Sequence, residues 1–285
     1  MWERTLYLNE KEGMEVKRDG PSLWVQEQGK AGVRIPIRLV GHVVIMGNVK
    51  MDSSSITLFT DHNIPVTFID KKGHPIAMAI PYSPNLQIHY RDQKAMLAHE
   101  ERIEMYKQWL ISERRKVQLQ VIKKLSKKTV AQIEIEGLRE IDYFRIIKRY
   151  LPQEESRWKP VKSVIVGLLN EMILKEIIAM ELDPHIGIYN RRRNFGLLLD
   201  FLYALEPEAD LQTAQFFDSN KAITYLTFTS TGITLNNDGI KNVVHRFENK
   251  KELTQRLIDN LLDSFFEFMR NVRFQPHRKI RVVRK

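Results

Sequence analysis

The sequence predicts an α+β fold: an N-terminal antiparallel β domain followed by a mainly α-helical C-terminal domain. Three observations carry this expectation. Positions 1 to 82 hold short apolar or alternating runs cut by turn residues, TLYL, SLWV, VRIPIRLV, HVVIMGNV, SITLF and IPVTFI, with DGP, GKAG, DH and DKKG between them. From Asp92 onward, apolar residues recur instead at gaps of three, four or seven. Between these halves, PYSPNLQIHYR has two prolines and no sustained periodicity, which suits an extended connector. The predicted units are therefore 1–82, a linker at 83–91, and 92–285.

Within the first unit each apolar run is read as a strand, and Asp61 to Asn63 as the end of a short helix. In the second unit, Ile103, Tyr106, Leu110, Val117 and Val121 form one apolar stripe on a helix expected to exceed thirty residues. Further helices are expected at about 138 to 150, 160 to 181 and 194 to 205, and a last one carries the stripe Leu257, Leu261, Phe265, Phe268 and Val272. Ala222 to Phe228 alternates like a strand, and the turn-forming STG and NNDG beside it predict a small hairpin.

Composition narrows the function classes. No apolar run in the 285 residues approaches the roughly 20 needed to cross a bilayer, so no membrane span is expected. The first residues lack the basic start and apolar block of a secretory signal. The chain has no cysteine, which removes disulfides and thiolate ligands, and a cytoplasmic setting is expected. Forty-five Lys and Arg against thirty-five Asp and Glu give a formal charge of +10, which favours a polyanionic partner, though a basic surface that serves only solubility has the same signature.

The cations gather at Arg114, Arg115 and Lys116, at Lys123, Lys124, Lys127 and Lys128, at Arg191, Arg192 and Arg193, and in the tail from Arg278 to Lys285. One such run is ordinarily a solvated face. Four in the helical half point to contact with a nucleic-acid backbone, without base readout.

One carboxylate stands out. Asp200 lies in GLLLDFLYALEP, among residues fit for a helix core, and a charge buried there needs a hydrogen-bond donor, a cation or a metal. A structural ion pair and a metal site both fit. Asn190, just upstream, could lend a carbonyl oxygen to a hard cation such as Mg²⁺, or cap a loop. Glu136 precedes Gly137 at a helix start, where a carboxylate also serves as an ordinary cap. His99, His185, His245 and His277 show no metal-ligand spacing.

Taken in order, these residues resemble the family of CRISPR-associated protein one, the integrase of spacer acquisition. The first half carries the family's glycine-asparagine turn (Gly47, Asn48), its serine-rich helix start, and its isoleucine-proline-valine strand ending in aspartate (Ile64, Pro65, Val66, Asp70). The second half carries IEIEG, LLNEMILKEIIAMELDPHIGIYN and GLLLDFLYALEP in the family's order and spacing.

The resemblance implies a homodimer formed through the β domain. It also implies a partner, CRISPR-associated protein two, and double-stranded or branched DNA as substrate. The implied reaction is metal-assisted phosphodiester transesterification with Mg²⁺ or Mn²⁺, in which a 3′ hydroxyl attacks the repeat.

By the same resemblance, the catalytic carboxylates are Glu136 and Asp200, and the metal ligands are Glu136, Asn190 and Asp200. Two of these positions depart from the family pattern. Asn190 stands where the family has a histidine, and Tyr203 where it has a second acid, three residues after Asp200. Lys162 and Glu206 depart as well, from an asparagine and an arginine. Weak metal retention follows as an expectation. Two readings stay open: an active integrase or endonuclease, and a catalytically impaired DNA-binding or scaffolding subunit of the adaptation complex. An RNA-binding protein sharing only the fold is a third.

Overall fold

The computed structural model describes residues 4–70, 75–81, 88–126, 137–219, 221–230 and 232–274. The first half forms two four-stranded sheets. One has the order β1 (Arg4–Asn9), β5 (Val40–Met46), β7 (Val66–Ile69), β8 (Pro75–Ala79). The other has the order β4 (Val33–Pro36), β3 (Ser22–Gln26), β2 (Glu15–Asp19), β6 (Lys50–Met51).

The expected order of a β half followed by a helical half is present, but the sheets are mixed where an antiparallel domain was expected. β1 with β5, β5 with β7, and β2 with β6 pair in parallel. A parallel pair needs a crossover, and the run read as the strand SITLF supplies one as helix α1 (Ser53–Asp61). The Asp52 carboxylate accepts the Ser55 N–H at 2.8 Å and caps that helix, Leu58 and Phe59 bury its inner face, and Asn63 follows its end at φ 57°.

β5 is buried along its whole length. Its alternating residues divide between two cores. Val43 and Ile45 pack with Val16, Leu23, Leu58 and Phe59 between the sheets and α1, whereas Val44 and Met46 join Ile69 and Ile240 on the side of the helical half.

The two halves are also latched by a polar contact. His42 Nδ1 on β5 lies 3.1 Å from Glu171 Oε2 on the long central helix, and His42 Nε2 lies 3.2 Å from Thr67 Oγ1. Burial pushes the imidazole down to about 3 and the carboxyl well above its usual range, which favours the neutral form of each. In that form Glu171 would donate to Nδ1, and the ring would donate from Nε2 to Thr67.

The linkage signs oppose each other. Stability tied to His42 is present above its unfolded pKa of about 6.5 and is lost as pH falls toward the folded value. Stability tied to Glu171 is present below its unfolded pKa of about 4.3 and is lost as pH rises toward the raised folded value. Glu171→Gln keeps the donor and removes the acid. Thermal melts of this variant should fall less steeply between pH 6 and 8 than those of the parent, ending a few degrees higher at pH 8; parallel curves would show that the pair is charged.

The helical half comprises α2 (Tyr90–Leu97), α3 (Glu100–Leu125), α4 (Glu140–Ile147), α5 (Glu155–Ala179), α6 (Gly196–Phe217), α7 (Asn237–Glu248) and α8 (Lys251–Phe274). The expected single helix from Asp92 is broken at His99, whose backbone is extended at φ −138°. Ile103, Tyr106, Leu110, Val117 and Val121 all face the core, as their spacing requires. β9 (Leu226–Thr229) and β10 (Gly232–Leu235) pair as a hairpin, although Ala222–Tyr225, expected as strand, form a 3-10 helix.

α6 runs on to Phe217, through Pro207 and well past its expected end near 205. Proline lacks the N–H that Tyr203's carbonyl would accept one turn earlier. Arg114 Nη1, reaching across from α3, donates to that carbonyl instead, and the helix continues.

Candidate nucleic-acid interface

The loop joining α5 to α6 folds back on the start of α6. Glycine at two positions makes this approach possible: a Cβ on Gly187 would stand 2.2 Å from the Gly196 carbonyl carbon, and one on Gly196 would stand 2.8 Å from the Asn190 carbonyl oxygen. The fold-back aims successive N–H groups at Asp200. Its Oδ2 accepts from the backbone of Ile188 (2.8 Å) and Tyr189 (3.1 Å) and from the Tyr106 hydroxyl (3.1 Å). Its Oδ1 accepts from the backbone N–H and the Nδ2 of Asn190, both at 2.8 Å.

Asp200 is fully buried. Burial raises its pKa above the usual carboxylate range, against the opposing pull of the N–H donors from Ile188 and Asn190. A carboxylate offers roughly four lone-pair sites, so five donors leave none for an ion. The partner that this buried acid requires is the loop itself. The Asn190 amide is turned into the same contact and acts as a donor there.

One turn along α6, Tyr203 faces a cation. The Arg114 guanidinium carbon sits 4.4 Å from the centre of its ring, and Tyr189 stacks on the ring at 5.3 Å and 20°. Arg114 donates from Nε (3.0 Å) and Nη2 (2.8 Å) to Glu140 Oε1, while Gln118 Nε2 donates to Glu140 Oε2 at 2.7 Å. Lys162 Nζ lies 2.7 Å from both Glu206 Oε1 and Asp210 Oδ1, and Asp210 also accepts from the Tyr143 hydroxyl at 3.0 Å. Lys162 and Glu206, the two further departures from the family pattern, are thus partners of each other.

Arg114 is withdrawn from the set of phosphate-binding residues that the sequence suggested. It is 2% exposed and spent on Glu140 and Tyr203, because α3 presents it on the buried side of the helix. Its neighbours Arg115 and Lys116 are exposed, Lys116 pairing with Glu113 at 2.7 Å, and Arg191, Arg192 and Arg193 are all exposed. Sequence reasoning missed a cleft of about 850 Å³ whose lining includes Lys124, Arg149, Tyr150, Arg157 and Phe217. Arg149 and Arg157 sit outside any basic run, so only folding shows that they converge. Glu136, Lys127, Lys128, His277 and the tail from Arg278 lie outside the described residues.

The described residues do not fit a divalent ion. Among them, no three His, Asp or Glu side chains are grouped so as to hold one. Asp200 is saturated, and at the Tyr203 position the neighbouring charge is a guanidinium, which repels a cation.

The comparisons agree with the fold. The family model for CRISPR associated protein Cas1 matches residues 6–158, more than half of the chain. A Cas1 relative from Methanospirillum hungatei, named as a CRISPR-associated endonuclease, is 22% identical over 90% of this chain and 95% of its own length. A CAS1 protein from Thermotoga maritima superposes with a TM-score of 0.77 at 18% identity, covering 96% of this chain and 99% of that one. A casposase bound to integration product gives 0.67 at 16% identity, covering 86% and 82%. The chain therefore belongs to the Cas1 family of CRISPR-associated proteins.

Proposed function

We propose that this Cas1-family chain is a DNA-binding subunit of spacer acquisition that holds DNA backbones without catalysing their transesterification. The observation that carries this reading is the Asp200 carboxylate, whose oxygens accept five protein hydrogen bonds. Metal-assisted phosphoryl chemistry needs carboxylates free to hold the ion. Here Asp200 builds the loop instead, and Tyr203 supports a cation–π contact.

Exposed Arg115, Lys116, Arg191, Arg192 and Arg193, with the basic cleft around Lys124, supply sequence-independent phosphate contacts. By family likeness the working form is a homodimer with CRISPR-associated protein two, and the casposase of similar fold, which is bound to integration product, supports the DNA contact.

The active-integrase reading rests on the endonuclease name of the Methanospirillum hungatei relative, and Glu136 is its remaining acid. One assay separates the two. The purified protein is mixed with branched DNA and Mn²⁺ or Mg²⁺, alongside Glu136→Ala. Salt-sensitive binding with no metal-dependent product, and equal affinity in the variant, is the expected result. A strand-transfer or cleavage product that requires the metal and disappears in Glu136→Ala would replace the present reading with the enzymatic one.

A further inference from the structure

A cavity of about 140 Å³ opens where the end of α7 lies against α6. Gln212, Gln215 and Phe216 of α6 form one wall, Val243 and Arg246 of α7 form another, and Lys250 follows at the turn into α8. Two cations therefore line one small space. Arg246 is fixed in place: Nε donates to Asn242 Oδ1 at 2.8 Å, Nη1 donates to the Gln215 carbonyl at 3.1 Å, and the guanidinium carbon lies 5.7 Å from the centre of the Phe216 ring. Lys250 Nζ donates to Gln215 Oε1. Each of these acceptors is neutral, so the bonds position the two cations without cancelling their charge.

The acid that acts on Lys250 is Glu208, and it is already shared. Its Oε2 lies 3.6 Å from Lys124 Nζ, and its Oε1 accepts from Gln212 Nε2 at 3.0 Å. Lys124, Arg246 and Lys250 thus stand against one carboxylate. Lys250 is half-buried, and burial, joined by the charges of Lys124 and Arg246 and opposed by Glu208, pulls its pKa below the usual lysine range. Charge left uncompensated in this way destabilises a fold, and it is the preparation that an incoming anion uses.

Space and charge together select the anion. The cavity equals the liquid volume of about five water molecules, which is room for one tetrahedral oxyanion and not for a sugar or base beside it. A phosphodiester brings a single negative charge, whereas a terminal phosphate brings about −1.5 to −2 near pH 7, which matches the two cations that Glu208 leaves over. We infer that this cavity is a phosphoryl site, for inorganic phosphate or a phosphate monoester, with Arg246 Nη2 and Lys250 Nζ as its donors. The site is distinct from the phosphodiester contacts described above, and it stands without them.

The test uses the full chain and three anions at equal ionic strength: inorganic phosphate, dimethyl phosphate as the diester, and chloride. Phosphate should raise the melting temperature by about 3 °C for each tenfold step above its dissociation constant, while the other two leave it in place. Lys250→Gln should melt no lower than the parent without phosphate, because it removes an unbalanced charge, and should lose the response to phosphate. Arg246→Gln should lose the response as well. An equal response of the parent to all three anions, a phosphate response retained in Lys250→Gln, or a phosphate-free melting temperature several degrees below the parent in that variant would each overturn the site.

Two duplexes, with 5′-phosphate and 5′-hydroxyl ends, identify the source. If the group is a DNA end, the phosphorylated duplex should bind the parent about tenfold more tightly, the scale of one charge-assisted hydrogen bond, and Lys250→Gln should erase the difference. Equal affinities beside a positive melt assign the site to free phosphate or a small phosphate ester. Failure of the parent to bind either duplex at low salt would remove the DNA-binding reading and leave the phosphate melts to decide this one.

Discussion

Asp200→Ala is expected to cost about 3 to 5 kcal/mol, because it removes the shared acceptor of several donors, each worth about 1 to 3 kcal/mol when left buried and unpaired. The variant leaves the N–H groups of Ile188, Tyr189 and Asn190 and the hydroxyl of Tyr106 without their acceptor, Ile188 and Tyr106 in fully buried positions. For a chain of this size the loss corresponds to a fall in melting temperature of roughly 10 °C. The loop should also loosen, so DNA affinity should drop although no phosphate contact has been removed. Asp200→Asn is expected to be little better, since an amide NH₂ would face donors on at least one side. Thermal melts and DNA titrations of the two variants check this. A melting temperature within two degrees of the parent would show that the loop does not depend on the carboxylate.

Arg114→Met ranks next, at about 3 kcal/mol, with Arg114→Lys recovering less than half. Little of this cost comes from the ion pair, since the Glu140 side chain is 45% exposed and can be rehydrated. Most of it comes from the planar group itself. A lysine keeps the charge but cannot cover the Tyr203 ring, fork onto Glu140 and cap the Tyr203 carbonyl together. Pro207 offers an internal check. Restoring the missing N–H with Pro207→Ala should recover about 1 kcal/mol in the Arg114→Met background and clearly less in the parent, where the guanidinium already serves that carbonyl. Additive denaturation energies in this cycle would dissociate the two residues.

Much of this was legible in the residues, for reasons that differ by element. The α3 stripe and the alternation in β5 are periodicities imposed by burial, and they read directly. SITLF misled because a short apolar run suits either a strand or a helix, and the deciding interaction is the Asp52 cap just upstream. The parallel pairings were hidden because pairing direction depends on the crossover and not on the strands. α6 was truncated because proline is a helix breaker unless another side chain takes the freed carbonyl, and Arg114 is 89 residues away in sequence.

At the site, Asp200 was identified from sequence as a buried acid needing a partner. Which partner it takes depends on Gly187 and Gly196 touching, a contact that no local pattern announces. The pairing of Lys162 with Glu206 was equally out of view, although each had registered separately as a departure from the family pattern.

The contact between His42 and Glu171 bears on how the molecule can be handled. Because burial favours the neutral form of both members, mobile ions have little charge there to shield. Concentrated electrolyte, which would weaken phosphate contacts of the proposed kind, is therefore expected to leave the sheet region joined to the helices. A brine wash is therefore a gentle step for this chain, whereas prolonged alkali, which ionises the carboxyl, attacks the joint between its halves.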